Sequence, residues 1–115
     1  MRLKSQIWVQ AFLRTNQSAG RFGAVVRRGA EEAGAIYVII NHLDGTVHLF
    51  GPAPGASIDE EGERRWQIEL SPPAAEPDAA ALLKRRTDFD PDVWIVEVED
   101  RSGTAGLLAV NASSD

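Results

Sequence analysis

The sequence predicts an α+β domain: a mostly antiparallel sheet of about five strands with two helices on one of its faces. Two segments have apolar residues at helical spacing, near residues 3–17 and 77–86. Short runs rich in β-branched residues lie between and after them, and the Asp44-Gly45 pair separates two of these runs. The predicted order of elements is therefore α-β-β-β-β-α-β.

The first helix is predicted for residues 3 to about 17, and polar residues followed by Gly20 end it. Its apolar side is wider than one contact with a sheet requires, since Val9 and Leu13 flank the main stripe. A helix of this kind is buried on more than one side or contacts a partner. The main stripe consists of Leu3, Ile7, Trp8, Ala11 and Phe12.

A β-hairpin is the clearest local prediction. The first strand covers residues 23–28, and an acidic connection leads to a second strand at 35–43 and a third at 46–50. Asp-Gly favours a two-residue type I′ turn. That register places His42 opposite Val47 and Asn41 opposite His48. The two histidines then project from opposite faces, which excludes a two-histidine metal site in this hairpin.

The same register assigns the side chains of the hairpin to two faces. One face is apolar and is predicted to join the core: Ile36, Val38, Ile40, Val47 and Leu49. The other mixes apolar and polar groups, and its candidate interaction surface comprises Tyr37, Asn41, His48 and Phe50. The plainer alternative is an ordinary outer face with a cross-strand hydrogen bond between asparagine and histidine.

The second half of the chain supplies the remaining elements. Residues 55–63 are predicted to be a mobile acidic loop, and residues 65–70 alternate as a half-buried strand. Pro77 suits the first turn of the second helix. The strand at 93–99 is apolar on both faces at its start and is predicted to be an inner strand, and a short edge strand is expected at 106–110. We therefore predict one compact domain over residues 1–110 and a disordered polar tail at 111–115.

Composition limits the possible functions. The chain has 115 residues, no cysteine and a net charge of −5. The absence of cysteine excludes disulfides and thiolate chemistry, and the acidic total disfavours nucleic acid as a partner. No signal peptide or membrane span is recognisable, so we expect a cytoplasmic protein that does not bind a membrane. We expect neither a cofactor nor a metal site, because the sequence contains no convincing motif for either.

Three arginine doublets form the second candidate site. If the first and fourth strands are neighbours, Arg28 and Arg65 converge, and the candidate anion patch is Arg27, Arg28, Arg65 and Arg85. The plainer alternative is that these cations neutralise glutamates on nearby strands, namely Glu69, Glu97 and Glu99.

Other motifs carry weaker signals. Asp88, Asp90 and Asp92 match part of a calcium loop, but Val93 occupies the position where that loop needs glycine. The plainer interpretation is that these residues end the helix and form a turn. Glu97 and Glu99 share a strand face, as a catalytic carboxylate pair would, although such pairs are common on solvated faces.

Several short strings, taken in order, resemble one family. They include RLKSQIWVQAFL at 2–13, VVRRG at 25–29, LFGPA at 49–53 and FDPDVWIVEVEDR at 89–101. Together they are similar to a small alphaproteobacterial family of uncharacterised proteins, domain of unknown function 1491. The resemblance implies a single compact domain in a bacterial cytoplasm, and it assigns no functional residue.

We therefore expect a non-enzymatic protein-interaction module, whose partner is another protein or a second copy in a homodimer. The first alternative is an arginine-lined site for an anion, a nucleotide or an RNA phosphate. The second is a small acid/base enzyme that uses Glu97, Glu99 or His48.

Overall fold

The computed structural model describes residues 3–55, 58 and 62–111. The elements follow the predicted order, with a two-residue strand added before the second helix. They are α1 (Ser5–Ser18), β1 (Gly23–Arg27), β2 (Ile36–Asn41), β3 (Thr46–Pro52), β4 (Trp66–Ile68), β5 (Ala74–Ala75), α2 (Glu76–Phe89) and β6 (Trp94–Glu99). The predicted α+β class is confirmed.

The strands form one mixed sheet in the order β1-β6-β2-β3-β4, with β5 paired to β3. Four of the pairings are antiparallel, and the pairing of β2 with β6 is parallel. β6 therefore lies inside the sheet, as its two apolar faces predict. One consequence is that β1 and β4, which the arginine hypothesis needs as neighbours, lie at opposite ends of the order.

The two helices cover opposite faces of the sheet, whereas the sequence predicts both on one face. Val9 and Phe12 of α1 pack on one side, and Leu82 and Leu83 of α2 pack on the other. The physical reason is that β2 and β6 carry apolar side chains on both faces, and each apolar face must be removed from water. The α1 side holds Ile36, Val38, Ile40, Trp94, Val96 and Val98, and the α2 side holds Tyr37, Val93 and Ile95.

The buried stripe of α1 is rotated from the predicted one. It consists of Ser5, Val9, Phe12 and Asn16, while Ile7 and Ala11 are exposed. Two polar residues lie in this stripe because each has a hydrogen-bond partner. The Ser5 hydroxyl donates to the Gly34 carbonyl at 2.6 Å, and the Asn16 amide donates to the Phe12 carbonyl at 3.0 Å.

The hairpin of β2 and β3 differs from the prediction by one residue in register. Ile40 pairs with His48 and Asn41 with Val47, and the His42 amide donates to the Thr46 carbonyl at 3.1 Å. The connection thus contains three residues, with Leu43 at φ 62° and Gly45 at φ 89°. The predicted two-residue turn is wrong, and the slip moves every side chain of β3 to the opposite face relative to β2.

Two predicted segments lie partly outside the described residues. The undescribed residues include much of the predicted acidic loop at 55–63 and residues 112–115 of the predicted tail. Asn111, the first residue of that tail, bonds to both backbone groups of Ile68. Ala109 forms an isolated parallel bridge with Trp66, where the sequence predicts a short edge strand. In the part of the chain that the structure describes, no helix is long and apolar enough to cross a membrane.

Candidate functional site

The four residues of the candidate interaction surface lie on two faces. Tyr37 and Asn41 belong to the α2 side of the sheet, and His48 and Phe50 belong to the α1 side. Tyr37 and Phe50 are both buried. The cause is the one-residue slip in the hairpin, because the predicted face combined alternate residues of β2 and β3 in the wrong phase. The structure therefore does not bring the four together.

The slip brings the two histidines together instead. His42 Nε2 lies 2.8 Å from His48 Nδ1, and His42 Nδ1 lies 2.7 Å from the Asp100 carbonyl oxygen. The rings meet edge to face, and the His48 ring stacks on Phe50. Burial, followed by the charge of His42, lowers the pKa of His48. The expectation that the histidines face opposite ways is thus overturned.

These histidines do not form part of a larger ligand cluster. Within residues 3–55, 58 and 62–111, no group of three histidine or carboxylate side chains is placed to hold a metal ion. Both ring nitrogens of His42 already have protein partners.

The four arginines of the candidate anion patch are dispersed. Arg27 donates from Nη1 to the carbonyls of Pro91 and Val93, at 2.9 and 2.8 Å. The Arg28 guanidinium lies over the Trp94 ring, 5.4 Å from its centroid. Arg65 lies beside β4, at the end of the sheet away from β1, and Arg85 is on α2. The structure does not assemble the predicted patch.

Arg85 instead borders a cavity with Tyr37, a residue from the other predicted site. The cavity measures about 470 Å³ and lies beside the C-terminal end of α2. Its lining residues are Ala35, Tyr37, Arg85, Arg86, Phe89, Asp90 and Val93. Phe89 is 95% exposed, the largest exposure among the described large apolar residues.

A hydrogen-bond network fixes one wall of this cavity. The Glu69 side chain is only 5% exposed, accepts from Gln67 Nε2 at 2.7 Å and lies 3.3 Å from Arg86 Nη2. The nearby Tyr37 hydroxyl is the main cause that raises the pKa of Arg86. Burial raises the pKa of Tyr37 despite the opposing effect of Arg86, so its hydroxyl is neutral at physiological pH.

Three carboxylates of the weaker motifs, those of Asp88, Asp90 and Glu97, have structural partners. Glu97 and Glu76 both accept from the Asn41 side-chain amide, at 3.1 and 3.2 Å. Asp88 pairs with Lys84 four residues earlier, and Asp90 accepts from the Asp92 backbone amide at 2.9 Å. These bonds correspond to a helix end and a turn, which is the plainer interpretation of the aspartate series.

The two edges of the sheet differ in how they end. At β4, the Asn111 side chain bonds both the amide and the carbonyl of Ile68, and the Val110 amide donates to the Trp66 carbonyl. At β1, no described residue forms a backbone pair on the side away from β6. One edge is therefore covered by the C-terminal segment, whereas the edge at β1 has no backbone partner among residues 3–55, 58 and 62–111, and we call it the open edge.

The open edge is also apolar. Phe22, Val25 and Val26 are all exposed, and Val26 lies where the register shifts between Val25 and Arg27. A groove between β1 and α1 runs alongside, bordered by Leu13, Arg14, Phe22 and other residues. Sequence periodicity could not identify this surface, because it depends on which strand is last in the sheet.

Comparisons with known proteins give a family without an assigned activity. The family model described as "Protein of unknown function (DUF1491)" matches residues 3–108. A solution structure of a protein from A. tumefaciens is 41% identical, with a TM-score of 0.82 and 98% of each chain covered. No curated protein matches the chain.

Two structures from Caulobacter crescentus CB15, both titled as DUF1491 family proteins, are similar to this chain as well. The crystal structure is 37% identical with a TM-score of 0.76, and 93% of this chain and 94% of that chain are covered. The NMR structure is 37% identical with a TM-score of 0.75, and 95% and 96% are covered.

Proposed function

The chain belongs to the DUF1491 family of proteins of unknown function, and from that premise we propose that it is a protein-interaction module that docks through the open edge of β1. Its partner is a second copy of the chain, whose own β1 pairs antiparallel to the first. The module acts by binding rather than by catalysis, in the cytoplasm, which is the location that the sequence predicts.

The difference between the two edges of the sheet carries the proposal. An unpaired strand edge presents backbone donors and acceptors that pair readily with another strand. The C-terminal segment satisfies these groups at β4, and no described segment does so at β1. Leu108 and Val110 are also exposed, but they belong to the segment that covers β4.

The sequence of the open edge supports pairing with itself. Residues 22–26 read Phe-Gly-Ala-Val-Val and contain no charge, so a twofold pairing places no like charges opposite each other. Such an interface is isologous, because each copy offers the same patch. The exposed apolar side chains Phe22, Val25 and Val26 would leave water on pairing, and their burial favours association.

The alternative functions receive less support from the geometry. Arg27 and Arg28 are engaged within the fold, and Arg65 lies at the other end of the sheet. An enzyme that uses Glu97 would have to release that carboxylate from Asn41.

Sedimentation of the purified chain from micromolar to millimolar concentration tests the proposal. We expect a concentration-dependent dimer, which Val26→Lys abolishes by placing two cations at the twofold interface. Val110→Lys is the matched control, since Val110 is 53% exposed and Val26 is 58% exposed. Slowed amide hydrogen exchange at Gly23–Arg27 on dimerisation would locate the contact. A monomer at every concentration, or equal loss of the dimer in both variants, overturns the proposal.

A further inference from the structure

We infer that the cavity at the C-terminal end of α2 binds a free apolar α-amino acid in its zwitterionic form. This site is independent of the β1 edge, because its residues come from α2 and the α2 face of the sheet. The cavity offers separate surfaces to the apolar body of such a ligand, to its carboxylate and to its ammonium group.

Part of the cavity lining is suited to an apolar side chain. Three of the lining residues are apolar: Val93, which is buried, Ala35, which is partly exposed, and Phe89, which is exposed. The volume of about 470 Å³ falls within the usual range for small-molecule pockets, which is about 300–1,000 Å³. A leucine or phenylalanine side chain would exclude water from these surfaces.

Other lining residues offer donors for a carboxylate. Arg86 is held by Glu69, and the neutral Tyr37 hydroxyl beside it retains a proton to donate. Arg85 borders the same cavity, and among the described residues it makes no hydrogen bond or ion pair with another side chain. A guanidinium without a partner is suited to pair with a carboxylate through two parallel hydrogen bonds.

The same cavity offers acceptors for an ammonium group. Asp90 lines it, and only its Oδ1 is used by the Asp92 amide. The last carbonyl groups of α2, a helix that ends at Phe89, add partial negative charge at this end. Because Arg86 is balanced by Glu69 and Arg85 is offset by Asp90, the cavity is close to neutral overall. A zwitterion matches both its charges and its neutrality.

The inference is tested by titrating the full chain with three related probes and recording its amide NMR spectrum at each concentration. L-phenylalanine carries both charges, N-acetyl-L-phenylalanine lacks the ammonium group, and phenethylamine lacks the carboxylate. We expect L-phenylalanine to shift the amides of Ala35, Tyr37, Phe89 and Val93 saturably. Each of the other probes should bind at least about tenfold more weakly, because one charged group of the cavity is left without its partner.

Variants complete the test. Arg85→Gln and Asp90→Asn should each weaken L-phenylalanine binding at least about fivefold, and Asp90→Asn keeps an acceptor for the Asp92 amide. Arg101→Gln, which changes an exposed arginine after β6, is the matched control and should leave binding unchanged. Equal binding of phenethylamine would show that the carboxylate is not recognised, and equal binding of N-acetyl-L-phenylalanine would show that the ammonium group is not recognised; either result would overturn the inference. The absence of saturable shifts at these four amides would overturn it as well.

Discussion

His42 Nε2 lies 2.8 Å from His48 Nδ1, and the carbonyl partner of His42 determines which of these two nitrogens carries the hydrogen. His42 Nδ1 must carry a hydrogen, because its partner is the Asp100 carbonyl oxygen, which can only accept. In the neutral pair, His42 Nε2 is then the acceptor and His48 Nδ1 is the donor. The pair can take up one proton and keep its hydrogen bond, but a second proton places two N–H groups against each other.

We predict that lowering the pH from 7.5 to 5.5 reduces stability. The pKa of His48 is lower in the folded chain than its ordinary value of about 6.5, chiefly because of burial and then because of His42. The unfolded chain therefore binds the proton first. The stability that neutral His48 contributes is complete above about pH 6.5 and is lost as the pH falls through the lower folded pKa. Urea unfolding at several pH values measures this loss.

The matched variant for this prediction is His48→Gln. A glutamine amide can still donate toward His42 Nε2 but does not titrate, so the slope of unfolding free energy against pH should become shallower between pH 5.5 and 7.5. An unchanged slope in this variant would show that His48 is not the group responsible. Direct ¹⁵N NMR of the rings should find both neutral histidines protonated at Nδ1.

Asp100 closes the turn after β6, and we predict that Asp100→Ala lowers the free energy of unfolding by about 1–3 kcal/mol. Its carboxylate accepts from the backbone amides of Ala105 at 2.9 Å and Gly103 at 3.1 Å. Burial alone would raise the pKa of Asp100, but these amides and Arg21 lower it. Asp100→Ala leaves both donors without their acceptor. Chemical denaturation measures the change.

The control for Asp100 is an exposed aspartate with a side-chain partner only. Asp88, which pairs with Lys84 on the surface of α2, meets that condition, and Asp88→Ala should change stability by less than about 0.5 kcal/mol. Equal losses in the two variants would contradict the role assigned to the turn.

The sequence allowed the elements to be predicted because local patterns determine them. The two apolar faces of β6 identified an inner strand, and the alternation at Trp66–Ile68 identified β4. Strand order was not predictable, since it depends on contacts between residues far apart in the chain. The parallel register of β2 with β6 pairs Ile39 with Glu97, although β3, β4, β5 and α2 all lie between them in the sequence. No local signal encodes a pairing across that separation.

The residues of the two candidate sites are dispersed for a more specific reason. The interaction surface depended on the assumed hairpin register, and the anion patch depended on the assumption that β1 and β4 are neighbours. A single-residue slip in the hairpin reverses which residues of β2 and β3 share a face. That slip separated Tyr37 from His48 and joined His42 to His48. The cavity near Arg85 depends on how the C-terminal end of α2 packs against the sheet. The spacing of apolar residues in the sequence does not predict that packing.

Leu43 occupies the left-handed region at φ 62°, which is unfavourable for a residue with a β-carbon. We predict that Leu43→Gly raises the free energy of unfolding by about 0.5–1 kcal/mol. Glycine removes about 1–2 kcal/mol of backbone strain at this position, which exceeds its entropic cost of about 0.5–1 kcal/mol. Leu43→Ala is the control, because it removes the partly exposed side chain but keeps the β-carbon. If alanine stabilised the chain as much as glycine in urea unfolding, backbone strain would not be the cause.

Gly51 packs against the network that fixes the cavity wall, and we predict that Gly51→Ala destabilises the fold by about 1–3 kcal/mol. A β-carbon there would lie 2.5 Å from Glu69 Oε2 and 2.7 Å from Tyr37 Cε2. The carboxylate cannot move freely, because Gln67 and Arg86 hold it and the side chain is nearly buried. The added methyl group must therefore displace either Glu69 or the Tyr37 ring.

A double-mutant cycle with Glu69→Ala separates this contact from a general cost of crowding at Gly51. Removing the carboxylate leaves space for the new methyl group, so Gly51→Ala should cost at least about 0.5 kcal/mol less in the Glu69→Ala background than in the original chain. Equal costs in the two backgrounds would show that Glu69 does not oppose the methyl group. A positive coupling would show that Gly51 of β3 and Glu69, which follows β4, oppose each other at the wall of the cavity.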